Sequence, residues 1–467
     1  MFLPLVAAVV TLTVAVLYRK LQFLRFQQYA NLPQHPTSLV LGHLQVFGDY
    51  FKRNRPDAHP DMAIAAMSQA LGRPPLMYVD LRPISQPMAV VGDHNIADQL
   101  TRATPIFPTS PPKSSRSLNR LQYIMGPSSI FSTHGDEWKR LRKRFSPGFS
   151  PQYLLGFVPE TLEKGLLFTE RLEALSKTGD SFSLMKLTTQ LTFDVIGKVT
   201  MGADLGAQHD NQEKADDLVQ SFEILVDAYN GDRLNLPWWL NLGKTRKRAA
   251  LSSCITNLLQ NIVSHKHAEL HDREGKKGKG TKSSRNVLSM ALQDVETLTP
   301  RPCGGASQIA RADGSVATDA LRRCSPGGTA RAIPPGSGFT VRMPDGQQQC
   351  LDGLLVYNCQ SLIHTDPNTF GRTAGDFVPE RWLSADRPGS VPAGAWRAFE
   401  RGPRNCIGQE LANMEARVVL ALTAHRFDFC KVGLGEVVRD GNGQPRLDPN
   451  TQGRYQVGEE LYMVSLS

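Results

Sequence analysis

Phe399-Glu400-Arg401-Gly402-Pro403-Arg404-Asn405-Cys406-Ile407-Gly408, followed by Gln409-Glu410-Leu411-Ala412, sets one cysteine in a short loop bracketed by glycines and leading into a helix-forming segment. The stretch fits F-x-x-G-x-R-x-C-x-G, a pattern expected by chance on the order of once in ten thousand chains of this length. A cysteine alone would mean little, because free cysteines mostly behave as small buried hydrophobes, the expectation for the other six in this chain. Cys406 differs by standing directly before a helix. Residues from Ile407 to about Leu422 are expected to be helical, and the amides at a helix N-terminus stabilise a thiolate. Gly402 permits a tight turn, and Gly408 lets backbone approach a flat partner with no side chain between them. Phe399 can keep water from the sulfur, and Arg404 can pair with a carboxylate of whatever binds there.

The rest of the chain has to be consistent with one large enzyme. Of 467 residues, 40% are hydrophobic and 21% charged, which predicts a folded protein with a sizeable core. The net charge of +9 is thinly spread. Its densest run, Lys276, Lys277, Lys279, Lys282 and Arg285, lies among Gly and Ser and reads as a solvated loop. No zinc-finger spacing, arginine-rich arm or aromatic-basic interleaving supports nucleic-acid binding. Seven cysteines without a repeating framework argue against a disulfide-stapled secreted protein and for a reducing compartment. Leu76 to Asp80 and Met88 to Val91 read as a hairpin, with further short strands near Phe339 to Arg342 and Leu354 to Tyr357. Leu184, Leu187, Leu191, Val195 and Val199 recur at helical spacing up to Gly202 and read as core packing. With no internal repeat, the expected architecture is a mainly α protein with small β-sheets (α+β) in a single large domain, residues 45–467.

Phe2 to Tyr18 carries no charge, and seventeen helical residues span about 25 Å, enough for a thin bilayer. The positive charges Arg19, Lys20 and Arg25 come after the apolar run instead of preceding it, which favours a retained anchor, residues 1–18, over a cleaved signal peptide. The positive-inside rule then puts the N-terminus in the lumen and the body in the cytosol. Residues 19–44, with Leu32-Pro33-Gln34-His35-Pro36, read as a stiff linker.

The Cys406 motif resembles that of the cytochrome P-450 family, and other segments extend the likeness over nearly the whole chain. Trp138-Lys139-Arg140-Leu141-Arg142 looks like the family's W-x-x-x-R helix, with Trp138 and Arg142 one turn apart on one face. His364-Thr365-Asp366-Pro367 and Phe377-Val378-Pro379-Glu380-Arg381-Trp382 are similar to the segments preceding the haem loop, and Pro326-Gly327-Gly328-Thr329-Ala330-Arg331 to a strand whose arginine contacts a propionate. The resemblance implies a cytochrome P-450 fold behind a single transmembrane helix, and haem b (heme b, iron-protoporphyrin IX) as cofactor. Cys406 would be the axial iron ligand, whose electron push favours O–O cleavage. Trp138, Arg142, Arg331, Phe399, Gly402, Arg404 and Gly408 would contact the haem, and Arg381 would join a buried ion network beneath its loop. The activity implied is monooxygenation of a small lipophilic substrate at the endoplasmic-reticulum membrane, with dioxygen as oxidant and electrons from NADPH. No flavin or dinucleotide fingerprint occurs in the chain, so the electrons would come through a separate NADPH-cytochrome P-450 reductase. Phe193-Asp194-Val195-Ile196-Gly197 and the segment around His364 look like filamentous-fungal members, which implies secondary metabolism.

Two departures stand out. The family's E-x-x-R helix reads Asp319-Ala320-Leu321-Arg322 here, one methylene shorter, so the buried pair is expected to shift or go partly unmade, at about 3 to 5 kcal/mol if a charge is left alone. Between Pro300 and Asp319 there is no apolar periodicity and no room for the roughly 30-residue distal helix whose acid and threonine relay protons, so a block is inferred to be lost near 300–319. That gap leaves two other readings: a haem-binding relative without oxygen activation, and a membrane protein that never loads haem. The loop from Thr104 to Ile124, expected to line the pocket, carries no chemistry specific to one ligand.

Overall fold

The computed structural model describes residues 2–54, 59–209, 217–230, 241–275, 287, 314–325, 327–383, 391–430, 432, 436–447 and 456. The basic run Lys276 to Arg285 lies outside them. So does the 300–319 gap up to residue 313; from Ser315 to Arg323 the chain is helical. The fold groups into two compact units, one formed chiefly by residues 1–120 and 318–406, the other by 121–317 and 407–461.

The first unit is built on a four-stranded sheet. β1 (Leu76–Val79) and β2 (Met88–Val91) form the expected antiparallel hairpin, with Leu76 opposite Val91. β3 (Thr329–Ala332), β4 (Thr340–Arg342), β5 (Gln348–Cys350) and β6 (Leu355–Asn358) come later in the chain. The sheet order is β1-β2-β6-β3, with β6 parallel to β2 and antiparallel to β3, while β4 and β5 pair separately. β1 and β2 are buried along their whole length because both faces are covered. Leu76, Tyr78, Ala89 and Val91 face one core with Ile96, Leu100 and Val356. Met77, Val79, Met88 and Val90 face another with Ile64 and Met67 of helix Pro60–Ala70.

The apolar N-terminal run is helical from Phe2 to Gln22 and continues through a wider turn, Phe23–Gln27. Among the described residues it is the one helix long and apolar enough to cross a membrane, and it is unburied by protein. The segment after it is docked instead of hanging free. Pro33 O accepts from Tyr78 N at 2.7 Å, laying extended, proline-fixed backbone along β1. Arg25, read from the sequence only as a charge following the apolar run, is also folded into the body. It is 4% exposed, pairs with Asp80 at 2.7 Å and donates to the Leu39 and Val40 carbonyls at 3.1 and 2.6 Å.

The second unit is helical. Helices Val158–Thr178, Leu184–Ile196 and Gln409–Thr423 enclose a core of Phe168, Leu172, Leu187, Leu191, Val195 and Leu411. Leu187, Leu191, Val195 and Val199 of the expected stripe are core packing, whereas Leu184 at its start is exposed, and the segment ends at Gly202 in the left-handed region, φ +69°. Gly165 admits the close approach: a Cβ there would lie 2.6 Å from Leu422. Helices Asp217–Asn230 and Leu242–Gly275 build a second core with Leu205, Leu225 and Ile255. Asp194, fully buried, accepts from the Ala207 and Gln208 amides at 2.8 and 3.3 Å, which explains a carboxylate inside an apolar segment.

Candidate functional site

The Cys406 loop is closed by its own backbone. Cys406 N donates to Phe399 O at 2.9 Å and Asn405 N to Gly402 O at 3.1 Å, leaving the thiol side exposed. Gly402 sits at φ +79°, and a Cβ there would lie 2.1 Å from Thr101 O, so both dihedral and space demand glycine. Gly408 differs. At φ −86° any residue could adopt its backbone, and only closeness to a bound group would require glycine. Phe399 stacks edge-on against Trp396 at 5.9 Å. Cys254, Cys324, Cys350 and Cys430 are exposed and Cys359 alone among the other described cysteines is buried, against the expectation of small buried hydrophobes.

What holds the loop is an arginine that no motif marked. Arg397 is fully buried and lies 2.7 Å from Glu400 and 2.5 Å from Asp98, with Thr101 Oγ1 accepting at 2.9 Å. Glu400, at φ +57°, also accepts from Asn358 Nδ2 at 2.8 Å and from Arg401 N at 3.0 Å. His364 Nε2 accepts the Arg397 N–H at 2.8 Å, and its Nδ1 lies 2.6 Å from Ser325 Oγ. Burial pushes the His364 pKa down to about 3, so the ring is neutral and can accept. A single charged residue inside Ala395-Trp396-Arg397-Ala398-Phe399 was the available signal, since a buried charge has to be paired.

Below this loop, Asp319, Arg322 and Arg381 come together. Arg322 Nε donates to Asp319 at 2.7 Å and the guanidinium caps the carbonyls of His364, Ala374 and Asp376. Arg381 Nε lies 3.2 Å from Asp319 but is not aligned as a hydrogen bond. The pairing with Arg322 is complete and the Val378 amide and Trp382 Nε1 also close on the shorter acid at 2.6 and 3.0 Å, while the side facing Arg381 stays partly unmade, as expected of the missing methylene. Burial raises the Asp319 pKa, and the hydrogen bonds from Arg322, Val378 and Trp382 more than offset this, holding the carboxyl below its ordinary range.

Arg331, on β3 opposite Val356, is 5% exposed. Among the described residues its Nη1 reaches only Ala330 O at 3.3 Å and its buried Nε has no partner. Trp138 and Arg142 belong to the second unit. Trp138 is buried and Arg142 half-buried on helix Gly135–Phe145, where acids open the first turn and Arg142, Lys143 and Arg144 close the last.

The cytochrome P450 family model matches residues 41–301 and 352–439, three quarters of the chain, and skips the stretch between. The chain belongs to the cytochrome P450 family. A cytochrome P450 monooxygenase, acrF, of Aspergillus aculeatus is 25% identical, covering 80% of this chain and 88% of its own. That alignment runs over 451 positions, dozens more than the part of this chain it takes in, so the relative carries internal residues that this chain lacks. The trichothecene C-4 hydroxylase of Trichoderma arundinaceum is 24% identical over 64% of this chain and 70% of its own. A bifunctional cytochrome P450/NADPH–P450 reductase of Gibberella moniliformis is 26% identical over 49% of this chain and 19% of its own. P450 membership implies a haem-thiolate cofactor, and the residues present fit one. The buried guanidinium of Arg331, with an unused donor, suits a carboxylate at the edge of such a group.

Proposed function

We propose that this chain is a haem-thiolate monooxygenase of the endoplasmic-reticulum membrane. It would insert one oxygen atom into a small lipophilic substrate in fungal secondary metabolism, with NADPH electrons delivered by a separate reductase. The observation that carries the reading is the Cys406 loop: an exposed thiol on backbone pinned by Arg397, Glu400 and Asp98. When bound, the haem supplies reductive activation of dioxygen. The chain supplies its setting. Cys406 ligates as thiolate; Phe399 keeps water from the sulfur; Arg331, Arg404, Trp138 and Arg142 hold the propionates; Gly402 and Gly408 keep backbone close; and Asp319, Arg322 and Arg381 hold the support beneath. Residues 1–18 anchor the protein, 19–44 join anchor to body, and 45–467 form the haem domain, its body cytosolic. The relatives named as monooxygenase and hydroxylase support the reaction class, and the reductase fusion supports the electron donor.

The test is expression with a reductase, reading haem loading from the carbon-monoxide difference spectrum and then NADPH-dependent oxidation of lipophilic substrates. A thiolate-type spectrum lost in Cys406→Ala is the expected result, with product formation expected once a distal block is restored after Thr299. A Cys406→Ala protein that keeps the parent spectrum overturns the ligand assignment.

A further inference from the structure

β6 ends in Asn358, whose backbone is held on both sides, opposite Val91 of β2 and Thr329 of β3. On extended backbone, side chains two residues apart share a face. Asn358 and Gln360 accordingly point the same way, while Cys359 between them turns into the core with Met77 and Val79. Both amides reach the Cys406 loop: Asn358 Nδ2 donates to Glu400 Oε1 at 2.8 Å and Gln360 Nε2 to the Arg397 carbonyl at 2.6 Å. Each residue is 2% exposed, and each leaves its own amide oxygen buried with no partner among the described residues. Such an oxygen carries a desolvation cost, yet neither amide can turn over to relieve it. A flipped Asn358 would set its oxygen against a carboxylate and a flipped Gln360 against a carbonyl, acceptor facing acceptor in each case. The two amides are therefore oriented by the loop, at the expense of their own acceptors. The loop receives these donors where its backbone is least ordinary. Glu400 stands at φ +57°, a left-handed conformation that side chains other than glycine rarely adopt. Its carboxylate also accepts from Arg397 Nε at 2.9 Å and from Arg401 N at 3.0 Å, while Glu400 N donates to Arg397 O at 2.8 Å. These bonds set which way the peptide between Phe399 and Glu400 faces, and Phe399 O is the acceptor of Cys406 N at 2.9 Å.

We infer that Asn358 and Gln360 are positioning residues for the Cys406 ligand, two amide donors at the end of the sheet that fix the turn from Arg397 to Glu400 and, through it, the Phe399 carbonyl facing the Cys406 amide. This rests on the haem-thiolate reading above, and it gives a role to two residues that the sequence motifs do not include. What the site uses is the direction of the hydrogen bond, with the donor on the sheet and the acceptor on the loop.

The experiment uses the full-length chain in detergent, loaded with haem in mildly alkaline buffer, as the parent, Asn358→Asp, Gln360→Met and the exchange variant Asn358→Asp with Glu400→Gln. Asn358→Asp sets two carboxylates face to face. Adding Glu400→Gln restores one donor and one acceptor with their direction reversed and the net charge of the parent. Total haem is measured separately, and the share of it with the thiolate signature is read from the carbon-monoxide difference spectrum. The ratio of non-thiolate to thiolate-ligated haem should rise at least about threefold in Asn358→Asp and in Gln360→Met, the scale of one hydrogen bond. It should return to within about twofold of the parent in the exchange variant. Residues that only stabilise the fold would lower total haem and leave that ratio unchanged. Parent-like ratios in both single variants would overturn the inference, as would an exchange variant no better than Asn358→Asp in ratio or, should that single variant take up no haem, in loading. A parent that takes up no haem, or takes it up without the thiolate signature, would overturn the haem-thiolate reading itself.

Discussion

Asp319→Asn tests the support beneath the haem loop most directly. The carboxylate receives Arg322 at 2.7 and 3.3 Å, the Val378 amide at 2.6 Å and Trp382 Nε1 at 3.0 Å, with Arg381 at 3.2 Å. Asparagine keeps one acceptor oxygen but turns an NH2 toward donors, and it leaves the fully buried Arg322 without a counter-charge. Removing one partner of a buried pair costs about 3 to 5 kcal/mol. Arg322 keeps its contacts to three carbonyls, so the lower end is expected. If the whole loss falls on the unfolding barrier, 3 kcal/mol speeds unfolding about 150-fold. The assay is the decay of the helical circular-dichroism signal of the detergent-solubilised chain at fixed temperature. The pH dependence supplies an independent sign. The folded pKa of Asp319 is depressed, so its stabilisation is complete above the ordinary carboxylate range and is lost as pH falls through the lower folded value. Parent and variant should therefore converge as pH falls below the ordinary carboxylate range and through the depressed folded value. Unfolding rates within about fivefold at neutral pH, roughly 1 kcal/mol, would refute the account of Asp319 as the charge that holds Arg322.

Asp319→Glu, although glutamate is the usual family residue, should destabilise by about 1 to 3 kcal/mol, because the contacts at 2.6 to 3.0 Å leave no room for a methylene; thermal unfolding reads it. Gly402→Ala should abolish or sharply reduce haem loading, since its Cβ would meet Thr101 O at 2.1 Å; a parent-like carbon-monoxide spectrum would show that the loop tolerates the shift. His364 is held neutral while an unfolded histidine takes a proton first, so the parent should lose stability as pH falls from about 6.5 toward 3, and His364→Gln should flatten that limb of an acid-unfolding curve. Deleting residues 1–18 should release the protein from microsomes under carbonate extraction, with firm pelleting of the truncated chain as the contrary result. The groups that deliver protons from the family's distal helix have no counterpart between Pro300 and Asp319. The chain should therefore give little or no NADPH-dependent product with a reductase, and a distal block inserted after Thr299 should restore it; robust, coupled hydroxylation without that block would refute the reasoning.

Cys406 and the β1-β2 hairpin were legible because their reasons are local: a turn that needs glycine, and two short apolar runs bounded by Pro and Gly. The Leu184 helix was legible from its period. Arg397 was not, because its partners Asp98 and Thr101 lie roughly 300 residues upstream and no spacing connects them. Arg25 read as a topogenic charge because a one-dimensional rule counts position only. Its partner Asp80 lies in a turn whose folded neighbourhood the rule cannot see. The Asp319 substitution looked costly because side-chain length was judged with its surroundings held in place. In the fold Val378 and Trp382 approach the shorter acid and Arg322 keeps its pair, so the loss is confined to Arg381, whose Nε faces Asp319 without a hydrogen bond.

The buried arginines also separate scaffold from site. Arg322 and Arg397 are fully buried, and each meets a carboxylate of the chain within 2.7 Å. For each, the cost of desolvating the cation is offset inside the protein, so the pair is complete before anything binds. Arg331 is 5% exposed, yet among the described residues it forms no ion pair, and one of its donors is unused. A cation that folding buries without its complement raises the energy of the empty protein, and that energy is recovered only when an anion arrives. The first two arginines therefore belong to the architecture that positions Cys406. Arg331, whose buried donor has no acceptor among the described residues, is the arginine whose charge the described fold leaves open to an anion.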